Sequence, residues 1–282
     1  MKNCIHFLGT GYSDCIILES NGKFAMIDAA EDTDYPANKP SLKLPGYEDK
    51  VVEYINKHCL SSDGMVHFEF VLGTHAHSDH IGGFDTVIQQ DNVVIEKAYL
   101  KPYDEEGIIA YERTRWDNLE VYTQMLDALK KKNIPVIQSF EKEKLTLGNF
   151  TVTFFNGSYR KLAKKTGENR NSVVTLVECG QNRAILAGDM NYSCGGEKEI
   201  ADAVGKVDIL KVGHHGYIGS TSNYWVRKLN PDIAVICNYK KRVYPDVLFK
   251  LTKIAGAKMF YTGDCQGVKI DMETLRTEEC IM

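Results

Sequence analysis

Residues 74–80 read Thr-His-Ala-His-Ser-Asp-His, which puts three imidazoles and one carboxylate within seven positions. Imidazole nitrogen and carboxylate oxygen suit zinc, manganese or iron, whereas calcium and magnesium favour oxygen alone. His75 and His77 would share one side of an extended segment, and Asp79 with His80 would lie past the bend. That division suits two adjacent ions better than one. A polar surface loop with solvated histidines is the competing reading, and it leaves the density of ligand-type side chains without a cause.

Two more groups of the same chemical type follow later. Gly188-Asp189 comes after the apolar run 184–187, and Gly213-His214-His215-Gly216 comes after residues 207–212. The first group likewise follows Phe68, Phe70, Val71 and Leu72. Short apolar runs bounded by glycine read as buried strands, and Gly82-Gly83 as a tight loop. Loops just past strand ends aim side chains at one point, so the three groups are expected on one edge of a sheet. Asn169-Arg170-Asn171-Ser172 precedes a further strand at 173–177. For Asp189 the alternative is a helix N-cap before Met190-Asn191. His214 and His215 offer two further imidazoles at such a strand end.

The remaining pattern supplies the frame. Residues 4–8, 15–19 and 23–27 predict an antiparallel opening, with Asn21-Gly22 as a hairpin turn. Residues 31–48 read as a loop, 48–59 as a helix and 93–100 as one strand. Trp116, Leu119, Tyr122, Met125, Leu126 and Leu129 recur at helical steps and predict one amphipathic helix over 111–132, with Trp116 on its core face. Alternatively, Tyr99, Tyr103, Tyr111 and Trp116 wall a site for a cationic head. Residues 145–147 and 150–155, around Gly148-Asn149, predict a second run of strands.

His75-x-His77-x-Asp79-His80 resembles the metal-binding motif of the metallo-β-lactamase superfamily of binuclear hydrolases, and the order of later groups follows that superfamily along nearly the whole chain. The resemblance implies an α/β fold, a four-layer αββα sandwich, with residues 1–282 as a single domain. It implies two zinc ions, with manganese or iron as alternatives, held by His75, His77, Asp79, His80, Asp189 and His214 or His215. Asp189 would bridge the ions, and Asp28 would brace the metal loop from the end of the third strand. The chain departs from the pattern in having no histidine between 80 and 214. Asn169, Asn171 and Ser172 stand there instead, which leaves one ion poorer in protein ligands and makes Asn171 and Ser172 candidates for a substrate oxygen.

Asn-x-Asn-Ser, Gly-Asp and residues 206–215 resemble two branches of the superfamily. One is the teichoic-acid phosphorylcholine esterases, to which residues 13–22, 99–103 and 112–119 are also similar. The other is the hydrolase domain of competence-type DNA-uptake proteins, to which residues 213–222 are closer. The implied activity is hydrolysis of a small phosphodiester such as a phosphorylcholine ester. Asp79 would orient the nucleophile, His214 would serve the leaving oxygen, and Tyr103 and Trp116 would meet the substrate. The alternatives are a nuclease of the DNA-uptake type and a metal-stabilised, non-catalytic binding module. A β-lactam hydrolase is disfavoured by the missing histidine, and a redox di-iron protein by the lack of room for a flavin domain.

Composition narrows the partners. With 282 residues, 43% hydrophobic and 26% charged, the chain has the balance of a soluble globular protein. A net charge of −4 provides no general field for long nucleic acid, so a small phosphoester is the expected partner. Two local basic patches remain, Lys161, Lys164, Lys165 and Arg170, and then Lys240, Lys241 and Arg242. No apolar run predicts a membrane span. A polar N-terminus and eight scattered cysteines predict free thiols and a cytoplasmic location.

Overall fold

The computed structural model describes residues 2–282 except 35, 37, 40–42, 162, 163, 193 and 194, so parts of the expected loop at 31–48, and Cys194, lie outside it. The chain opens on three antiparallel strands, β1 (Asn3–Leu8), β2 (Cys15–Ser20) and β3 (Lys23–Ala29). Asn21 and Gly22 take φ of 52° and 76°, the two left-handed residues that a tight right-twisted hairpin demands. Next come α1 (Glu48–His58), β4 (Val66–Gly73), α2 (Ser78–Ile81), α3 (Phe84–Gln89), β5 (Val93–Ile95) and β6 (Ala98–Leu100). Helices α4 (Ala110–Arg115) and α5 (Asn118–Lys131) lead to β7 (Val136–Ile137).

The second half contains β8 (Lys144–Leu147), β9 (Phe150–Phe155), β10 (Val174–Cys179), β11 (Asn182–Leu186), α6 (Glu197–Val204), β12 (Ile209–Lys211) and α7 (Asn223–Leu229). It continues through β13 (Ile233–Ile236), α8 (Pro245–Lys250), β14 (Lys258–Tyr261) and α9 (Thr262–Cys265). Strands β15 (Gly267–Asp271) and β16 (Thr277–Glu279) return to the first sheet. Among the described residues that sheet runs β16-β15-β1-β2-β3-β4-β6-β7, with β5 also on β4, and the other runs β14-β13-β12-β11-β10-β9-β8.

Three apolar layers make this an αββα sandwich. Val51 and Ile55 of α1, Val87 of α3 and Met125 of α5 cover one sheet. Ile200 of α6, Trp225 of α7 and Val247 of α8 cover the other. Between the sheets, Phe7, Phe70, Leu72, Val152, Phe154, Val177 and Val235 form the central core. Strands coated on both faces read as continuous apolar runs, which is why residues 70–72 of β4, all buried, show no alternation. A register shift adds to this: Phe24 pairs with Phe68 and Ala25 with Phe70, so a bulge at Glu69 turns Phe68 to the helices and Phe70 to the inner core.

Two expectations need correction. Residues 93–100 form two short strands, both parallel to β4. The helix expected over 111–132 breaks at Trp116, which adopts an extended conformation (φ −111°, ψ 163°). Lys39 Nζ donates to the freed Trp116 carbonyl at 2.5 Å. The stripe therefore restarts one step round: α5 buries Asn118, Val121, Tyr122, Met125 and Leu129, while Leu119 is 42% exposed. Among the described residues, no helix is long and apolar enough to cross a membrane.

Phe154 is fully buried against Phe70, Tyr99 and Phe140, with ring centroids 4.9–5.8 Å away. Phe154→Ala is expected to cost about 3–5 kcal/mol, read as a lower midpoint in urea denaturation.

Candidate metal centre

Parallel pairing puts the carboxyl ends of β3 and β4 side by side in one sheet, and those of β11, β12 and β13 in the other. Because β2 runs against β3 and β10 against β11, the residues that begin β2 and β10 reach the same ends. Loops 74–80, 188–189 and 213–216 therefore meet at one edge of the sandwich. Gly213 is required there, since a Cβ would meet the Met190 carbonyl oxygen at 2.2 Å. His214 and His215 follow with φ of 47° and 49°. This doubly left-handed turn sends His215 inward and leaves His214 on a cavity wall.

Asp189 is the meeting point. His80 Nε2 lies 3.1 Å and His215 Nε2 3.2 Å from Asp189 Oδ1, and the two nitrogens are 3.1 Å apart. On the other side, His75 Nε2 lies 4.0 Å from Asp189 Oδ2 and 3.0 Å from His77 Nδ1. One carboxylate thus offers an oxygen to each of two donor clusters. Asp79 stands at the rim, with Oδ2 3.3 Å from His215 Nε2. The residues fit a pair of divalent ions: Asp189 Oδ1 is buried without a hydrogen-bond partner, and the convergent donors are imidazole nitrogen and carboxylate oxygen. Residues 190 and 191, which follow Asp189, are not helical, so among the described residues Asp189 does not stand at a helix N-cap.

The backing of these donors is as specific as the donors themselves. Asp28 sits at φ 56°, a strained position for a side chain bearing Cβ. From there its carboxylate accepts from Thr74 N and the Thr74 hydroxyl, each at 2.8 Å, and meets His80 Nδ1 at 2.7 Å. A proton held on Nδ1 leaves the Nε2 lone pair facing Asp189. Asp14, which the sequence reading did not single out, faces Nδ1 of both His80 (3.7 Å) and His215 (3.4 Å). It therefore orients both rings from behind. It also pairs with the fully buried Lys211, whose ammonium donates to the Gly188 carbonyl at 2.8 Å and lies 3.9 Å from Asp189.

A second set of carboxylates pins the first loop. Glu112 Oε2 lies 3.6 Å from His77 Nε2 and accepts from Glu168 N at 2.9 Å. Glu168 accepts from Ala76 N at 3.1 Å and from Asn171 Nδ2 at 2.8 Å. Asn171 is thus engaged by a carboxylate. The Ser172 hydroxyl accepts from Asp189 N at 3.0 Å and is fully buried. Both residues brace the site and neither lines the cavity. Among the described residues the first cluster comprises His75, His77 and Asp189, and no residue takes the place of the missing histidine. Glu168 carried no sequence signal, being a lone acid in a polar stretch, while Asp14 and Glu112 fell within the stretches 13–22 and 112–119 without being read as site residues.

The charges respond to this crowding. Burial works to lower the His80 pKa, but Asp189, Asp28 and Asp14 outweigh it and raise it well above the ordinary value. Burial likewise opposes protonation of His215, yet Asp189 and Asp14 push it up to about 9. Asp189 is held far below the usual carboxylate range, because His215 and His80 overcome its burial. Outside the clusters, burial together with Asp79, Asp32 and Asp117 pushes the Glu31 carboxyl up to about 9.

A cavity of about 390 Å³ opens above the clusters, with His77, Asp79, Asp189 and His215 on its floor and His214 on its wall. Trp116 lines it too, its ring edge-on to His77 at 4.7 Å, so the helix break moves this side chain from the core to the site. The other expected aromatics lie elsewhere: Tyr103 packs on Tyr122, Tyr99 is buried and donates to Glu143, and Tyr111 is exposed. Tyr12 and Tyr217 line the cavity in their place.

The metallo-beta-lactamase fold protein YhfI from Bacillus subtilis matches 95% of this chain with 99% of its own, at 9% identity and a TM-score of 0.54. Zn(2+)-bound PqqB from Methylobacterium extorquens matches 92% with 87% of its own, at 14% identity and a TM-score of 0.51. This chain has the metallo-β-lactamase fold. Among curated proteins, ComE operon protein 3 of Bacillus subtilis is 27% identical over 190 residues, 66% of this chain. Recombination protein 2 of Haemophilus influenzae is 42% identical over 69 residues, 24% of this chain. The matched parts span only 22% and 8% of those relatives. No family model matches. A metallo-β-lactamase fold with these convergent donors supports a metal-dependent hydrolase in general.

Two outcomes follow from this geometry. Because Asp189 serves both clusters, Asp189→Ala is expected to remove both ions, whereas His77→Ala removes the one held by the three-donor cluster. Metal content by mass spectrometry after desalting distinguishes the two. In the metal-free protein, His215 has a folded pKa of about 9 against an ordinary 6.5, so its stabilising effect is complete below about 6.5 and is lost as pH rises through about 9. Glu31, raised to about 9, acts in the same direction. The melting temperature of the chelator-treated protein should therefore fall between pH 6.5 and 9; a flat or rising profile would contradict this charge balance.

Proposed function

We propose that this protein hydrolyses a small phosphodiester, of the phosphorylcholine-ester type, with two divalent ions held by His75, His77 and Asp189 on one side and by Asp79, His80, His215 and Asp189 on the other. The observation that carries the reading is one buried carboxylate shared by two donor clusters on the floor of a cavity sized for a small molecule. When bound, such a pair of ions supplies Lewis acidity at the phosphoryl oxygens and lowers the pKa of water. The chain's own groups do the rest. Asp79, at the rim, is placed to orient the attacking water. His214 faces the cavity with a buried Nδ1 that has no partner, and it is placed to donate to the leaving oxygen. Trp116 and the tyrosines favour an apolar or cationic head over a bare phosphate.

A nuclease is the second reading, favoured by the likeness to a relative named for recombination and by a basic, aromatic surface beside the cavity. There Arg242 lies 5.0 Å over Tyr12 and Lys241 5.8 Å over Tyr239. The test compares p-nitrophenyl phosphorylcholine with single-stranded DNA on zinc- and manganese-loaded protein at low and physiological salt. The expected result is faster turnover of the small diester, nearly independent of salt and abolished by chelation. DNA cleavage that falls steeply with salt, without turnover of the small diester, would favour the nuclease.

A further inference from the structure

We infer that Cys265 and Cys280 are a redox-sensitive pair, which closes to a disulfide by exchange with a small-molecule disulfide and opens again on reduction. Cys265 ends α9 and Cys280 directly follows β16, so the β15–β16 hairpin separates them in the chain. The Gly267 carbonyl joins them in space. It accepts from Cys280 N at 3.0 Å and from the Cys265 thiol at 3.4 Å. The same Cys280 N–H also reaches the Cys265 sulfur. The backbone turns sharply on both sides of this contact, with φ of 57° at Gln266, 106° at Gly267 and 59° at Cys280. Gly267 has no room for a side chain, since a Cβ there would meet Ile281 at 2.7 Å. A sulfur held against the backbone of the second cysteine needs side-chain rotation, and no strand shift, to come within the span of a disulfide.

Access singles out the same pair. Among the described residues Cys4, Cys15, Cys59, Cys179 and Cys237 are buried, whereas Cys265 is half-buried and Cys280 is exposed. Cys280 therefore starts the exchange. Its thiolate attacks one sulfur of a disulfide such as oxidised glutathione, whose S–S bond breaks and releases one glutathione thiolate. Cys265 then gives its proton to solvent, attacks the Cys280 sulfur and expels the second glutathione. The protein thiols lose two electrons and two protons, and one glutathione disulfide becomes two thiols. Burial and the Glu279 carboxylate push the Cys265 thiol up to about 11, which makes ring closure the slower step.

The closed pair would clip together segments that back the metal centre, without using any of its donors. Met282 N donates to the Gln266 carbonyl at 3.1 Å, and Gly9 N to Met282 Sδ at 2.8 Å, just before the loop that leads to Asp14. On the other side Gly263 N donates to the Asn238 carbonyl at 3.2 Å, and Asn238 Nδ2 to the His215 carbonyl at 2.9 Å.

The test treats the full-length protein with oxidised glutathione, blocks the remaining thiols with iodoacetamide and digests the monomer band of a non-reducing gel with trypsin. The expected product is residues 259–269 linked to residues 277–282, lost on reduction and absent from both Cys265→Ser and Cys280→Ser. The oxidised protein should also melt several degrees above Cys280→Ser treated in the same way, because the link restricts the unfolded chain. Cys280→Ser changes an exposed side chain and keeps the fold, so it is a fair reference. Glutathione retained on Cys280 without the linked peptides would overturn the inference. So would a link from Cys280 to any other cysteine, a link found only between two chains, or a linked protein that melts no higher than the variant.

Discussion

The carboxylate of Asp189 is the constraint around which the structure is arranged. It is buried and faces His75 on one side and His80 and His215 on the other. Such a group is tolerable inside a protein only when every facing charge is matched. Lys211, buried beneath it, and the two imidazoles supply positive charge, while Asp28 holds a proton on the outer nitrogen of His80 and the Cys237 carbonyl one on that of His215. In the metal-free chain, protons on the inner ring nitrogens of His80 and His215 stand where divalent ions would otherwise balance the charge. The same residues therefore account for stability and for metal affinity.

The sandwich contributes by bringing strand ends together. Parallel pairing in the middle of each sheet places the β4, β11 and β12 loops on one edge, and the central core of Phe70, Phe154 and Val177 fixes the distance between sheets. Part of the backbone strain lies at that edge. Asp28, Ala30, His214 and His215 all lie at positive φ, conformations that persist only where surrounding contacts over-determine them. Preorganisation of this kind suits a site that must hold its donors in place before metal or substrate arrives.

The cavity above the metal floor has a character of its own. Its lining combines imidazoles, carboxylates and aromatic rings. Basic residues lie beyond Tyr12, outside the cavity, and they face solvent rather than the metal floor.

Much of this was written in the sequence. The clustered His75–His80 motif, apolar runs ending in Gly-Asp and Gly-His-His, and the Asn-Gly turn each depend on local chemistry, so residue type and spacing were enough to place them at strand ends. Layer order followed, because strands coated on both faces read as unbroken apolar runs. Other features depend on contacts between distant segments. Asp14 and Lys211 meet beneath the histidines only because β2 and β12 belong to facing sheets. Glu112 of α4 and Glu168 reach His77 and Ala76 from segments far apart in the chain, and Asn171 and Ser172 turn out to brace that neighbourhood rather than line the cavity. Helical spacing placed Trp116 in the core, but a single extended residue rotated it into the cavity. Periodicity describes an unbroken element, and only the tertiary packing decided where this one would break.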